Sequence, residues 1–421
     1  MTSWFTKHQT CRLCESADVE CVVSLGEVPV VTPNVDAAHT AAQFAGVQGQ
    51  MVPLGMYVCK GCGHLQLLDV VNPDVQYNNF NYTTSISLGL PEHFRKYAGE
   101  VIEAVGAMPG ALVLEIGSND GTLLRALKER GMQVLGVDPA QKIAARATEN
   151  GTRTVATFYT EKLAGELRRE YGPAEIVIAN NTFANLDNLI DFAAAVRTSL
   201  SPTGVFVFET QYGVDVVEKT LIDTVYHEHL SYFMAGPLSQ YFARNGMELI
   251  DMQRIWTKGG SIRGTVQLRG GTRRRAASVD ALIAKEKAAG YEGMAPYRRL
   301  AANVAAVRQE VADLVAARKA ARKKVAAYGA SVGTVTLIRQ FELGQALDFI
   351  VDDKPLCEQI AGPDYRIPVL QSAAIYERKP DTIVILAWRY TDSIVARHQR
   401  FLDAGGEFVI PLPRMSLRKG K

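Results

Sequence analysis

A chain of 421 residues, 47% hydrophobic and 21% charged, has material for roughly two to four packed domains and none of the signature of a disordered protein. With 46 Lys and Arg against 44 Asp and Glu, a formal charge of +2 offers no global attraction to nucleic acid or an anionic membrane. No apolar run approaches the ~18 residues that span a bilayer. The opening MTSWFTKHQT lacks the apolar core of a signal peptide, so a cytoplasmic protein with reduced cysteines is expected.

Residues 1–75 read as a loop-rich module holding five of the six cysteines. Cys11-Arg-Leu-Cys14 and Cys59-Lys-Gly-Cys62 are two C-x2-C pairs, and each short loop turns two thiolates toward one side of a tetrahedral ion. A structural zinc on Cys11, Cys14, Cys59 and Cys62 is expected, closed to catalysis because thiolates fill all its positions. Cys21 and His64 are spare, and read as packing or surface residues.

Residues 76–275 read as a second unit. A linker from Tyr77 to Ser87 leads to Phe94, Tyr97, Val101 and Val105, whose spacing predicts a helix over Leu90 to Val105. Short apolar runs at Leu112–Ile116, Val134–Val137, Ile176–Ala179 and Val205–Phe208 predict buried parallel strands. Helical stretches such as Thr122–Arg130 and Leu189–Leu200 alternate with them, which argues for an α/β, doubly wound sheet.

The first of these strands runs into Glu115, Ile116, Gly117, Ser118, Asn119, Asp120 and Gly121, and then a helix. The glycines let a ligand approach the backbone, but their spacing is not that of a dinucleotide fingerprint. Asp138 caps the next strand, where a carboxylate can accept both hydroxyls of an adenosine ribose. The pattern resembles the first two motifs of class I methyltransferases, and implies S-adenosylmethionine as cofactor, with Asn180 and Asn181 at the end of a later strand bordering its methionine or adenine portion; the bland alternative is an ordinary βα turn.

Tyr226-His227-Glu228-His229 gathers several proton-transfer groups. If extended, it puts His227 and His229 on one face and Tyr226 and Glu228 on the other. Metal binding wants the H-E-x-x-H spacing that is absent here, so general acid–base work fits better than ligation. A satisfied structural cluster is the plain alternative.

Residues 276–421 read as a helical bridge and a further α/β lobe. Val304, Val307, Val311 and Leu314 form an apolar helical stripe, and Val325–Tyr328, Phe349–Val351, Ile383–Ala387 and Phe408–Ile410 read as strands. Gly329 to Gly333 follows a strand and Asp352 caps the next, yet the glycine spacing is wrong for NAD. A substrate-supporting lobe is the reading. Cys357 is expected to be inert, and the basic clusters Arg273–Arg275 and Arg318–Lys324 to be solvated faces.

Taken in order, the Cys pairs, the Glu115–Gly121 turn, Asn180-Asn181-Thr182-Phe183-Ala184, Tyr226 to Phe233, Gly259-Gly260-Ser261-Ile262-Arg263 and Tyr328-Gly329-Ala330-Ser331 resemble the sugar C-methyltransferase family. Those enzymes methylate a carbon beside a ketone on a nucleotide-linked deoxysugar. The resemblance covers nearly the whole chain. It implies a zinc module, a methyl-donor domain and a C-terminal Rossmann-like domain that helps hold the nucleotide sugar. It further implies His229 as base, Tyr226 and Glu228 as its partners, His227 beside them, and Tyr82, Asn185, Arg263 and Gly329 on the substrate side.

Two departures stand out. Asn185 occupies a position where the family usually has histidine, and Val332 and Thr334 replace the usual Lys and Asn of the C-terminal turn. Losing that cation weakens the expectation of a phosphate contact there. The leading expectation is C-methylation of a nucleotide-linked 4-keto-deoxysugar at C3, with a small-molecule partner, neither nucleic acid nor membrane, and an oligomeric state left open but compatible with a monomer. The alternatives are a different carbon, nitrogen or oxygen acceptor, or a zinc-containing binding protein with a degenerate methyltransferase fold.

Overall fold

The computed structural model describes residues 4–30, 50–77, 80, 82–86 and 89–420. Of the expected linker, residues 78, 79, 81 and 87 lie outside the described residues, as do 1–3 and 31–49 of the expected N-terminal module. The described part of that module is built of strands, correcting the loop-rich expectation: β1 (Phe5–Lys7), β2 (Val19–Pro29), β3 (Met51–Cys59), β4 (Leu65–Leu67) and β5 (Asp69–Val71). The reason is a period of two that the cysteines obscure: Val23 and Leu25 are buried while Ser24 between them is exposed. β1 pairs antiparallel with β5.

The chain forms two compact units. The first takes the described parts of residues 1–20, 58–214 and 230–293; the second takes those of 21–57, 215–229 and 294–421. The first holds β6 (Leu112–Ile116), β7 (Gln133–Val137), β8 (Thr154–Val155), β9 (Ala174–Asn180), β10 (Leu200–Gln211), the short β11 (Ser231–Tyr232) that pairs with β4, β12 (Met247–Ile255) and β13 (Ser261–Leu268). Its main sheet runs β12-β13-β10-β9-β6-β7-β8, parallel from β10 to β8, with β13 antiparallel to both its neighbours.

Strand order reverses between β6 and β9. The carboxyl ends of the strands at such a reversal are where open α/β sheets bind ligands. The Gly117 turn, Asp138, Asn180 and Glu209 all lie at or near these ends.

Helix Leu90–Val105 forms as its spacing predicts, with Pro91 in its first turn and Gly106 closing it at a φ of 67°. It buries Phe94, Tyr97 and Val101 against Val113, Ile176 and Val205 of the sheet and Leu124 and Leu127 of helix Thr122–Lys128. Each such side chain contributes about 1.5–3 kcal/mol by leaving water. The helix over 189–200 ends at Ser199, because Leu200 already starts β10. On the other side of the sheet, Phe183 stacks on Phe233 at 4.4 Å and touches Phe192, Phe206, Phe208 and Phe242. The phenylalanines of the Asn-Asn-Thr-Phe and His-Leu-Ser-Tyr-Phe segments are thus core residues.

The second unit carries β14 (Val325–Tyr328), β15 (Phe349–Asp352), β16 (Gln359–Ala361), β17 (Arg366–Gln371), β18 (Thr382–Ile385), β19 (Glu407–Ile410) and β20 (Ser416–Lys419), ordered β16-β17-β15-β14-β18-β19-β20. β17 to β19 are parallel and the edge strands antiparallel. Helix Ala295–Ala320 buries Val304, Val307 and Val311 as expected, but then Val315 and not Leu314. A step of four from Val311 keeps the 3.6-residue period on one face. The basic clusters are partly engaged: Arg275 pairs with Asp280 at 2.6 Å, and Arg318 with Glu407. Among the described residues, no helix is long and apolar enough to cross a membrane.

Candidate functional site

The glycine turn is shaped by its own close contacts. Gly117 has a φ of 71°, and a Cβ there would lie 2.1 Å from Thr182 Oγ1, so only glycine fits. Asp138 accepts the backbone N–H of Asn119 through Oδ2 (2.8 Å) and that of Ala140 through Oδ1 (2.9 Å). These bonds fix the carboxylate and leave each oxygen a second lone pair. Asn119 and Asp120 clasp the preceding segment: Asn119 Oδ1 accepts from Thr84 N (2.8 Å), its Nδ2 donates to the carbonyl of Tyr82 (3.0 Å), and Asp120 Oδ2 accepts from Ser85 N (3.0 Å).

Around this turn, Glu115 Oε2, Ser118 Oγ and Asn180 Nδ2 are buried without a hydrogen-bond partner among the described residues. Such groups cost stability unless a ligand meets them. Burial, followed by the charges of Asp138 and Asp120, raises the Glu115 carboxyl well above its usual value. Asp138 is raised too, mainly by burial. Burial also opposes ionisation of Asp120, but hydrogen bonds from Ser85 and Thr122 more than offset it and hold that carboxyl low. An acid-ringed turn repels a pyrophosphate. It suits an adenosine whose attached chain carries positive charge, as the sulfonium and ammonium of S-adenosylmethionine do.

Asn181, at a φ of 54°, donates its N–H to the Glu209 carbonyl at 2.8 Å. Asn185 donates its N–H to Thr182 O, and its Oδ1 is buried without a partner among the described residues. Arg263, placed on the substrate side by the resemblance, turns its guanidinium to two carboxylates: Nε to Glu209 at 2.7 Å and Nη1 to Glu100 at 2.7 Å. His93 Nε2 meets the other Glu209 oxygen at 2.8 Å. The sequence reading did not single out Glu209 or His93. The available signal was an acid at the carboxyl end of a buried strand.

The segment is a turn, so the face-sharing of an extended Tyr226–His229 does not apply. The His229 N–H bonds to the Tyr226 carbonyl at 2.9 Å, so Tyr226 and His229 share a side in place of His227 and His229. His229 Nδ1 lies 2.9 Å from the Thr224 carbonyl, which can only accept, so Nδ1 carries the proton in the neutral ring. Its Nε2 is then the basic atom, and the Tyr226 hydroxyl donates to it at 2.9 Å. His227 Nε2 donates to the Pro53 carbonyl at 3.0 Å, and burial pushes this imidazole down to about 4. Glu228 is buried beside them. A phenol and an imidazole so paired can exchange a proton.

The four expected zinc ligands converge. Cys11 Sγ is 3.7 Å from Cys62 Sγ, Cys14 Sγ is 3.5 Å from Cys59 Sγ, and all four lie within 4.8 Å of one another. Tetrahedral zinc with Zn–S near ~2.3 Å needs sulfurs about 3.8 Å apart, so the set fits the ion. Cys21 is exposed and outside the cluster; His64 is buried and meets Ser231 Oγ at 3.2 Å. Arg12, inside the first knuckle, reaches Asp187 at 3.0 Å and the Leu67 carbonyl at 2.7 Å.

In the second unit, a Cβ on Gly329 would sit 2.6 Å from Ala387 Cβ, and one on Gly333 only 1.9 Å from the Asp223 carbonyl oxygen. Thr334 accepts the Ser331 N–H at 2.9 Å and donates to the Gly329 carbonyl at 3.0 Å, closing the helix start. That gives the unusual Thr334 a local structural task.

Residues 256–413 match the model of a C-methyltransferase C-terminal domain, 92–251 that of a methyltransferase domain, and 11–77 that of a zinc binding domain. The chain is 30% identical over 405 residues to the C-methyltransferase NovU of Streptomyces niveus, across 96% of this chain and 95% of that one. It is 23% identical over 166 residues to the ubiquinone biosynthesis O-methyltransferase of Burkholderia thailandensis, across 37% of this chain and 72% of that one. A solved S-adenosylmethionine-dependent methyltransferase from Clostridium acetobutylicum aligns with 42% of this chain and 92% of its own, at 12% identity and a TM-score of 0.35.

Proposed function

Because the chain belongs to the C-methyltransferase family, and is an S-adenosylmethionine-dependent enzyme of class I fold with a structural zinc, we propose that its acceptor is a nucleotide-linked 4-keto-deoxysugar, methylated at C3. The observation that carries this reading is the Tyr226–His229 pair, with His229 locked in the tautomer that leaves Nε2 basic. A carbon acceptor, unlike an oxygen or nitrogen one, must first be made nucleophilic by losing a proton from carbon.

Bound at the Gly117 turn, the cofactor supplies an electrophilic methyl on a sulfonium. Glu115, Gly117, Ser118, Asn119, Asp120, Gly121, Asp138, Asn180 and Asn181 are the residues we assign to hold it. His229 Nε2 takes the C3 proton, and the bonding electrons move toward the C4 oxygen. The Tyr226 hydroxyl, released from Nε2, donates to that oxygen and stabilises the enolate. Glu228 orients the pair, and His227, neutral at working pH, adds a polar neighbour without a charge. The C3 carbanion so formed is the nucleophile, and the cofactor held at the Gly117 turn would supply the methyl group that it accepts. Orienting the acceptor carbon for transfer would supply much of the remaining acceleration. Tyr82, Asn185 and Gly329 are assigned to the sugar-nucleotide side. Reduced cysteines at the four-thiolate site fit a reducing compartment, and the cytoplasm is the location we propose.

The test is turnover with methyl-13C-labelled cofactor and a nucleotide-linked 4-keto-6-deoxyhexose, with the product read by carbon NMR. The expected product carries the label on a quaternary or tertiary ring carbon next to C4. Label on oxygen or nitrogen, or no product from any keto-sugar nucleotide, would contradict the proposal.

A further inference from the structure

The polar frame behind the strand ends of the first unit enters the reading above only through Asn180, whose contact with the cofactor was left unspecified. At its centre is Asn180, 7% exposed at the end of β9. Its Oδ1 faces the backbone N–H of Glu209 at 2.9 Å and the hydroxyl of Tyr97 at 3.2 Å. A backbone N–H can only donate, so the atom opposite it must be the carboxamide oxygen. Nδ2 therefore points the other way. It is buried and has no partner among the described residues.

Both donors to Oδ1 are themselves held. Tyr97 is fully buried, and the Arg263 guanidinium lies over its ring at 4.4 Å. Arg263 is gripped by Glu209 through Nε at 2.7 Å and Nη2 at 2.5 Å, and by Glu100 through Nη1 at 2.7 Å. His93 closes on the remaining Glu209 oxygen. Helix Leu90–Val105, β10 and β13 thus fix one carboxamide in one orientation, with its donor end unused by the described residues.

The amino-acid end of S-adenosylmethionine carries an ammonium and a carboxylate. The acids Glu115, Asp120 and Asp138 suit the ammonium and repel the carboxylate, which needs a hydrogen-bond donor elsewhere. Asn180 lies one strand from the turn, since β9 and β6 are neighbours and Glu115 pairs with Ile178. We propose that Asn180 Nδ2 is the donor to the cofactor carboxylate, and that Tyr97 is a positioning residue that keeps this amide from flipping. The assignment rests on the methyl-transfer reading.

The test is a double-mutant cycle read by calorimetric titration with two ligands. S-adenosylhomocysteine has the carboxylate; 5′-methylthioadenosine lacks the whole amino-acid end. Asn180→Ala should weaken S-adenosylhomocysteine roughly ten- to a hundredfold, the range of a hydrogen bond to a charged group. Tyr97→Phe should weaken it by about tenfold or less, and should add nothing in the Asn180→Ala background. Methylthioadenosine affinity should stay unchanged in every variant, which a merely structural role would not allow. Asn180→Ser repeats the cycle should the alanine variant fail to fold. Independent effects of the two substitutions, equal losses for both ligands, or no loss at all would overturn the inference. Wild-type protein that binds neither ligand would instead contradict the methyl-donor reading, and this inference would fall with it.

Discussion

The two sheets offer the same backbone device twice. Gly117 donates its N–H to Val137 O at 2.8 Å, and Gly329 donates its own to Val351 O at 2.8 Å. Asp138 takes the N–H groups of Asn119 and Ala140; Asp352 takes those of Ala330 and Lys354, at 2.9 and 2.8 Å. The side chains differ. Where the first turn has Glu115, Ser118 and Asp120, the second has Ala327, Ala330 and Val332 at matching offsets from its glycine. The first turn itself carries buried polar atoms, Glu115 Oε2 and Ser118 Oγ, without partners among the described residues; the second is closed by Ala387, the Asp223 carbonyl and Thr334, and buried atoms without such partners lie only on its flanks, at Asp223 Oδ1 and Trp388 Nε1. A strand, a glycine turn and an acid make a scaffold. Polar atoms on the turn itself, left without partners among the described residues, are what favour the first as the proposed donor site.

If this division is right, substitutions in the two units should separate donor binding from turnover. The largest effect is expected from the second unit. His229→Ala should lower turnover on the order of 10²–10⁴-fold, the range for a lost general base, while S-adenosylhomocysteine affinity stays as in the wild type. Steady-state rates and calorimetry on the same preparation check this, and parallel loss of both would undo the separation.

Next come the glycines. Gly117→Ala forces a Cβ onto Thr182 and should weaken S-adenosylhomocysteine at least tenfold. Gly333→Ala forces one onto the Asp223 carbonyl and should lower the melting temperature, while the folded protein keeps its affinity. A Gly333→Ala protein of normal stability but weak cofactor binding would show the second turn to be the donor site.

Zinc removal should act on stability first. One zinc per chain is expected by elemental analysis, and Cys14→Ser should abolish it and lower the melting temperature by several degrees. Retention of one zinc in that variant would refute the four-cysteine assignment.

The smallest effect concerns protons. Glu115 is raised in the fold, so the ligand-free protein gains stability from its protonated form below the ordinary carboxylate range and loses it as pH climbs through the raised value. A bound cation favours the ionised carboxyl. Binding of S-adenosylmethionine should therefore release a fraction of a proton in the pH range of the raised carboxyl, seen as heats that vary with the buffer, and Glu115→Gln should remove that variation. Proton uptake on binding would have the wrong sign.

Much of this was legible in the sequence, for identifiable reasons. Val325–Tyr328 was read to the residue because four apolar residues between charges and a glycine have few other fates. The cysteine spacing announced its tetrahedron, and the acid-glycine turn its helix start. β12 was not read, because Glu248, Asp251, Gln253 and Arg254 interrupt it and its burial alternates imperfectly. The Tyr226–His229 pairing needed the turn that the hydrogen bond from His229 N closes, and periodicity does not show one-residue changes of hand. The Glu209 cluster joins side chains 116 positions apart at His93 and 54 apart at Arg263, and no local pattern carries such a contact.

One titration decides between the two turns. S-adenosylhomocysteine should bind the wild type at one site per chain. Asp138→Ala should weaken it by about tenfold or more through loss of the ribose contact, whereas Asp352→Ala should leave it unchanged. Loss of binding in Asp352→Ala with Asp138→Ala unaffected would put the methyl donor on the other sheet and contradict the assignment.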